Sequence, residues 1–185
     1  MLGAALIAPP YSIAQTGQKI ARIGALVSGE PVSEHRCVKA LRQGMADQGH
    51  IEGRTYVLDL RHSEGRLEQD AFPRLAAELV NSGADVVVSV SASGLLAAKE
   101  ALGSVPVVVA AGSLLVEIGL VNSLARPGGN ITGVSLFSSD LMEKRLQLLS
   151  ETVPGLKRVA VLTRFVGPNT RYFLNALEDG ARRKE

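Results

Sequence analysis

The chain alternates between short, dense runs of β-branched residues and longer stretches whose apolar positions recur at helical spacing. Ile20 to Val27 reads IARIGALV and ends at Ser28-Gly29, while Val86 to Val90 and Val105 to Val109 are bounded by Gly, Ser or Pro. Runs of this kind predict strands buried on both faces. Between them, Val38, Leu41 and Met45 recur behind Ser33 as a cap, with Gly49 as the stop. Phe72, Leu75, Leu79 and Val80 form a second stripe that ends at Gly83, and a third helix is expected from about Ser93 to Leu102, stopping at Gly103. Strand, helix, strand, helix in this rhythm predicts an α/β fold, a doubly wound parallel sheet with right-handed crossovers. Tyr56 to Arg61, YVLDLR, differs because its apolar residues alternate with Asp59 and Arg61, which marks a half-exposed edge strand. An edge second strand beside a central first strand gives a five-stranded sheet of order 2-1-3-4-5, with Ile131 to Ser135 as the fifth strand.

Beyond Ser135 the pattern changes. Leu141, Leu146, Leu148 and Leu149 with Met142 make an amphipathic helix begun near Ser139 or Asp140, and Pro154-Gly155 turns the chain. Val159 to Leu162 then reads as a buried strand, and a last helix is expected from about Asn169. One strand between two helices leaves a sheet edge and an apolar face uncovered, so this part is expected to be a truncated second α/β lobe. At the other terminus, LGAALIA, Pro9-Pro10 and the small residues Ser12 and Ala14 match the end of a secretory signal peptide cleaved after Ala14, although no basic stretch precedes them. An ordinary apolar arm is the other reading. The expected organisation is a signal-peptide-like segment over 1–18, a first lobe over 19–136 and the start of an incomplete second lobe over 137–185.

Charge and cysteine content narrow the function classes. Lys and Arg number 20 against 18 Asp and Glu, a formal +2, and the two signs are interspersed, so nucleic acid is not an expected partner. The cluster Arg182, Arg183 and Lys184 suits a helix C-terminus. The single cysteine, Cys37, has no internal disulfide partner and lies on or near a buried helical stripe. His35, His50 and His62 lack a second ligand at metal spacing, so no metal site is expected. After the first segment no run approaches the ~20 apolar residues of a membrane-spanning helix.

In an open parallel sheet, ligands bind beyond the carboxyl ends of the strands, near the point where strand order reverses. That rule names Ser28, Gly29 and Glu30 after the first strand, Ser91, Ala92 and Ser93 after the third, and Ala111, Gly112 and Ser113 after the fourth. Ser135 stands at the end of the fifth. Ser91 or Ser93 also opens a helix, whose free N–H groups can hold a carboxylate. For each serine a helix cap is the competing role. A phosphoacceptor domain of the same strand order would need an Asp at the carboxyl end of the third strand, but Asp85 is at the other end. GALVSGE does not supply a dinucleotide fingerprint, and neither a G-x-S-x-G elbow nor a Walker loop is present.

Several phrases occur in a distinctive order: the opening strand ending in Ser28-Gly29, then HIEGRTYVLDLRHSEGR, LAAELVNSGADVVV, SVPVVV, IGLVNSLARPGGNITGVS and KRLQLLSETVPGLKRVAVL. From about Lys19 to Asn169 the chain resembles the ABC transporter substrate-binding proteins of periplasmic-binding-protein type I fold, in the branch that includes tryptophan and tyrosine uptake. The resemblance implies a periplasmic protein with two lobes that close on a small amino acid-like solute and deliver it to an ABC permease, without cofactor or catalysis. It implies that Ser28, Ser91, Ser93 and Ser135 form the first-lobe wall of the cleft, to which the rim rule adds Gly29 and Gly112. Two departures stand out: Leu114-Leu115 replaces the Asp-Pro pair usual in relatives, and Thr163-Arg164-Phe165 intervenes before Pro168-Asn169. The alternatives from other classes are a small α/β enzyme with an unidentified nucleophile and the effector domain of a regulator. The uncovered surfaces of an incomplete second lobe predict self-association and weak solute binding.

Overall fold

The computed structural model describes residues 19–28, 36–64, 68–137, 140–162 and 168–182. Five parallel strands, β1 (Ala21–Val27), β2 (Tyr56–His62), β3 (Val86–Ser89), β4 (Val107–Ser113) and β5 (Ile131–Phe137), form one sheet in the order β2-β1-β3-β4-β5. This is the order expected from the alternating edge strand. Helices α1 (Arg36–Asp47), α2 (Glu68–Asn81) and α3 (Ala92–Leu102) make the crossovers among the first four strands.

The main core lies on one face, where Leu26, Val87, Val107, Val109 and Ile131 of the sheet meet Phe72, Leu75 and Leu79 of α2 and Leu95 of α3. On the opposite face Val38 of α1 packs over Ala25 and Val27, flanked by Leu58, Leu60 and Val90. That second face stays open towards β5, where Val134 is 57% and Leu136 52% exposed. The free Cys37 is half-buried and lines a cavity of about 300 Å³ beneath α1 with Val38, Leu41 and Val88.

The phrase RPGGNITGVS opens with a clasp at the amino end of the sheet and continues into β5. The Asn130 amide donates to the carbonyls of Gly103 (3.0 Å) and Val105 (2.7 Å), tying the end of α3 to the entry of β5. Its backbone carbonyl accepts from Val107 N at 2.8 Å, which starts the β4–β5 pairing. Gly133, at φ 147, lies so close to β4 that an added Cβ would sit 2.1 Å from the Val109 carbonyl oxygen, so this position requires glycine.

After β5 come α4 (Asp140–Thr152) and α5 (Pro168–Arg182), which pack on each other, and Phe173 of α5 also reaches the main core. The expected buried strand from Val159 to Leu162 is not found: the segment joins no sheet, and Val159 is 43% and Val161 49% exposed. A strand exists only by pairing, and no described strand lies beside it. Instead it lines a groove of about 530 Å³ with Leu146 of α4 and Leu177 of α5. The expected Ser33 cap, His35 and the segment 1–18 lie outside the described residues.

Candidate functional site

Parallel pairing brings all the carboxyl ends of the strands to one rim. Val27 stands opposite His62, Leu26 opposite Ser89 and Gly112 opposite Ser135. Ser28, directly after β1, and Ser135, within β5, are both half-buried there. Gly29 lies outside the described residues. Ser93 is the second residue of α3 and so belongs to the helix's first turn.

Ser91 caps α3. With φ −134 and ψ 123 it leaves the strand conformation only after its side chain has accepted from the Gly94 N–H at 3.1 Å, while its carbonyl takes Leu95 N at 3.1 Å. The cap itself is held from below by Ser89, the last residue of β3, which is fully buried. Ser89 Oγ donates to the Ser91 carbonyl at 3.0 Å and accepts from Ser91 N at 3.3 Å. The competing role for Ser91, a cap, is therefore a real one, and its geometry aims the helix N-terminus at the rim. Ser89 was not among the expected site residues; its sequence signal is a hydroxyl at the final, inward-facing position of an otherwise all-valine strand.

Gly112 serves packing, since a Cβ there would lie 2.5 Å from Leu115 Cδ2 and 2.7 Å from Val109 Cγ1. Leu114 and Leu115, the residues that depart from the usual Asp-Pro, are both buried in the main core. Leu114 holds the left-handed conformation, φ 59, as the chain turns out of β4.

Two further ionic contacts lie at the other end of the sheet. Asp85, just before β3, accepts from Arg22 N of β1 at 2.8 Å and from the Lys19 ammonium. The Arg22 N–H and then Lys19 hold its carboxyl below the usual aspartate range. Near the start of β2, the hydrogen bond to Glu52 (2.8 Å) raises the Arg42 guanidinium further. Both stand at the amino end of the sheet. Among the described residues, no three His, Cys, Asp or Glu side chains are grouped as a metal would need, and no helix is long and apolar enough to cross a membrane.

Comparison with known proteins agrees with this architecture. Residues 20–179 match the family described as ABC transporter substrate binding protein. A curated tyrosine-binding protein of Clostridioides difficile (strain R20291) is 27% identical over 166 residues, 90% of this chain and 46% of the relative. The structure of an ABC domain from Streptococcus pneumonia in complex with L-Trp superposes with a TM-score of 0.74 at 25% identity, covering 89% of this chain and 54% of that one. A conserved domain protein of Vibrio cholerae gives 0.72 at 26% identity, over 90% of this chain and 55% of that one. The chain therefore spans about half the length of these relatives. With the family matched over most of its residues and the type I fold present, the chain belongs to the ABC transporter substrate-binding proteins.

Proposed function

We infer that this chain supplies the first-lobe wall of a solute cleft in an ABC-type importer, and that the solute is an amino acid. The observation that carries this reading is the N-terminus of α3, capped by Ser91 and braced by buried Ser89, at the carboxyl rim where strand order reverses. The N–H groups at the start of a helix suit a carboxylate, and the helix dipole adds to the attraction. Ser28 and Ser135 add hydroxyls to the same rim. The relatives that bind tyrosine and L-Trp favour an amino acid over other carboxylates. Binding without chemical change fits the family, whose members are described as substrate-binding proteins.

The cellular role follows the same reading: residues 1–18 direct export, residues 19–136 bind, residues from 137 begin a second lobe, and an ABC permease receives the solute. One wall buries only part of a solute and leaves it wet, so the chain alone binds weakly. The groove between α4 and α5, lined by Leu146, Val161 and Leu177, gives it a surface for self-association.

A titration of the ¹⁵N-labelled chain with millimolar L-tyrosine, L-tryptophan and L-leucine tests the cleft. Amide shifts should gather at Ser28, at Ser91 to Leu95 and at Ser135. Shifts confined to the α4–α5 groove, or none with any of the three, would refute it.

A further inference from the structure

Ser63 directly follows β2 at the same rim, and no sequence rule singled it out. Its side chain is buried, with the residue 2% exposed, and its hydroxyl has no hydrogen-bond partner. The backbone around it is firmly held: Ser63 N donates to the carbonyl of Val27, the last residue of β1, at 3.1 Å. The next residue, Glu64, takes the left-handed conformation at φ 52 and donates its N–H to His62 Nδ1 at 3.1 Å. A buried hydroxyl without a partner costs stability and calls for an explanation in a folded chain. Its position suggests one. β2 and β3 flank β1, so the end of β2 stands two strand spacings, roughly 10 Å, from the end of β3 where α3 begins. That is comparable to the span of a tyrosine from carboxylate to phenolic oxygen.

We propose that Ser63 determines specificity in the cleft: its hydroxyl pairs with a polar group at the far end of the solute's side chain, of which a phenol is the fitting type, while the α3 N-terminus holds the carboxylate. The proposal rests on the amino acid reading of the cleft and deepens it. Ser63 is covered in the free chain, so the contact forms as the rim rearranges around the solute. Because the hydroxyl is already unpaired, the bond to the phenol is gained without breaking another. A phenylalanine gains nothing from Ser63, and this is the situation in which a single hydroxyl discriminates well.

The test compares L-tyrosine with L-phenylalanine on the ¹⁵N-labelled chain and on its Ser63→Ala variant, by amide-shift titration and thermal melting. The wild type should prefer tyrosine on the order of tenfold, as one hydrogen bond warrants. Ser63→Ala should lose that preference and, without solute, melt no lower than the wild type. A preference that survives in Ser63→Ala, or a wild type that binds both equally, overturns the assignment of Ser63 while leaving the amino acid cleft standing. A variant that melts well below the wild type also overturns it, because the hydroxyl would then have a partner in the free chain. If neither amino acid shifts any wild-type resonance, the amino acid reading fails and the assignment fails with it.

Discussion

At the amino end of the sheet, Asn130, Asp85 and Glu52 each close a specific bond: to the end of α3, to the start of β1, and to α1. At the carboxyl end the chain carries half-buried serines, two non-glycine residues in the left-handed conformation, Glu64 and Leu114, and a buried hydroxyl without a partner at Ser63. The first end has its polar groups matched within the chain. The second has local costs that the rest of the fold must offset, and such costs gather where a protein has something to bind. The family phrase RPGGNITGVS joins the two: its first half builds the β4–β5 entry at the first end, and its last residue, Ser135, stands at the rim.

The largest effect should come from loosening the clasp. Asn130→Ala removes both amide bonds, to Gly103 and Val105, and leaves the partly buried Val105 carbonyl to find another donor. It should cost about 2 kcal/mol in urea denaturation. If the two ends have separate duties, the amino acid-induced shifts at the rim should survive under native conditions. A stable variant with a silent rim would show that the ends are coupled.

Ser91 should behave the other way. Ser91→Ala loses the bond to Gly94 N and should cost about 1 kcal/mol, with weaker solute response. Ser91→Asp restores a capping oxygen, so its stability should return to about that of the wild type, but it places a negative charge where the proposed cleft would hold the solute carboxylate. Loss of the tyrosine-induced shifts with an unchanged denaturation midpoint is the expected outcome. Undiminished binding by Ser91→Asp would move the carboxylate away from α3.

How much of this could be read from sequence depended on how local the determining contacts are. Tyr56 to Arg61 announced an edge strand because alternation is a property of consecutive residues, and that one assignment set the strand order. The rim followed from the order alone. Val159 to Leu162 misled because an apolar run reports willingness to pair, while pairing needs a neighbour from elsewhere in the chain. The burial of Leu114 and Leu115 and the unpaired state of Ser63 depend on side chains distant in sequence, which composition does not encode. Ser91 shows a middle case: its role as a helix cap was legible, but the brace from Ser89 depends on how β3 and α3 are placed.

The smallest effect lies at Asp85, and its pH dependence sharpens the contrast between the two ends. Folding lowers its pKa, chiefly through the Arg22 N–H and then through Lys19, so the folded chain binds that proton more weakly than the unfolded chain does. The stabilisation is therefore fully present above the unfolded carboxyl value and is lost as pH falls through the lowered folded one. Asp85→Asn keeps an acceptor for Arg22 N but forfeits the charge. Its urea midpoint should fall slightly below that of the wild type at neutral pH, and the two should converge as the solution is acidified through the carboxylate range. Added salt should narrow the neutral-pH gap, because the Lys19 side chain is 80% exposed and its share of the attraction is screened. The same series should leave the tyrosine-induced shifts of Asp85→Asn equal to those of the wild type at neutral pH. A gap that widens in acid would mean that Asp85 is stabilised in its protonated form, contrary to the geometry at the start of β3.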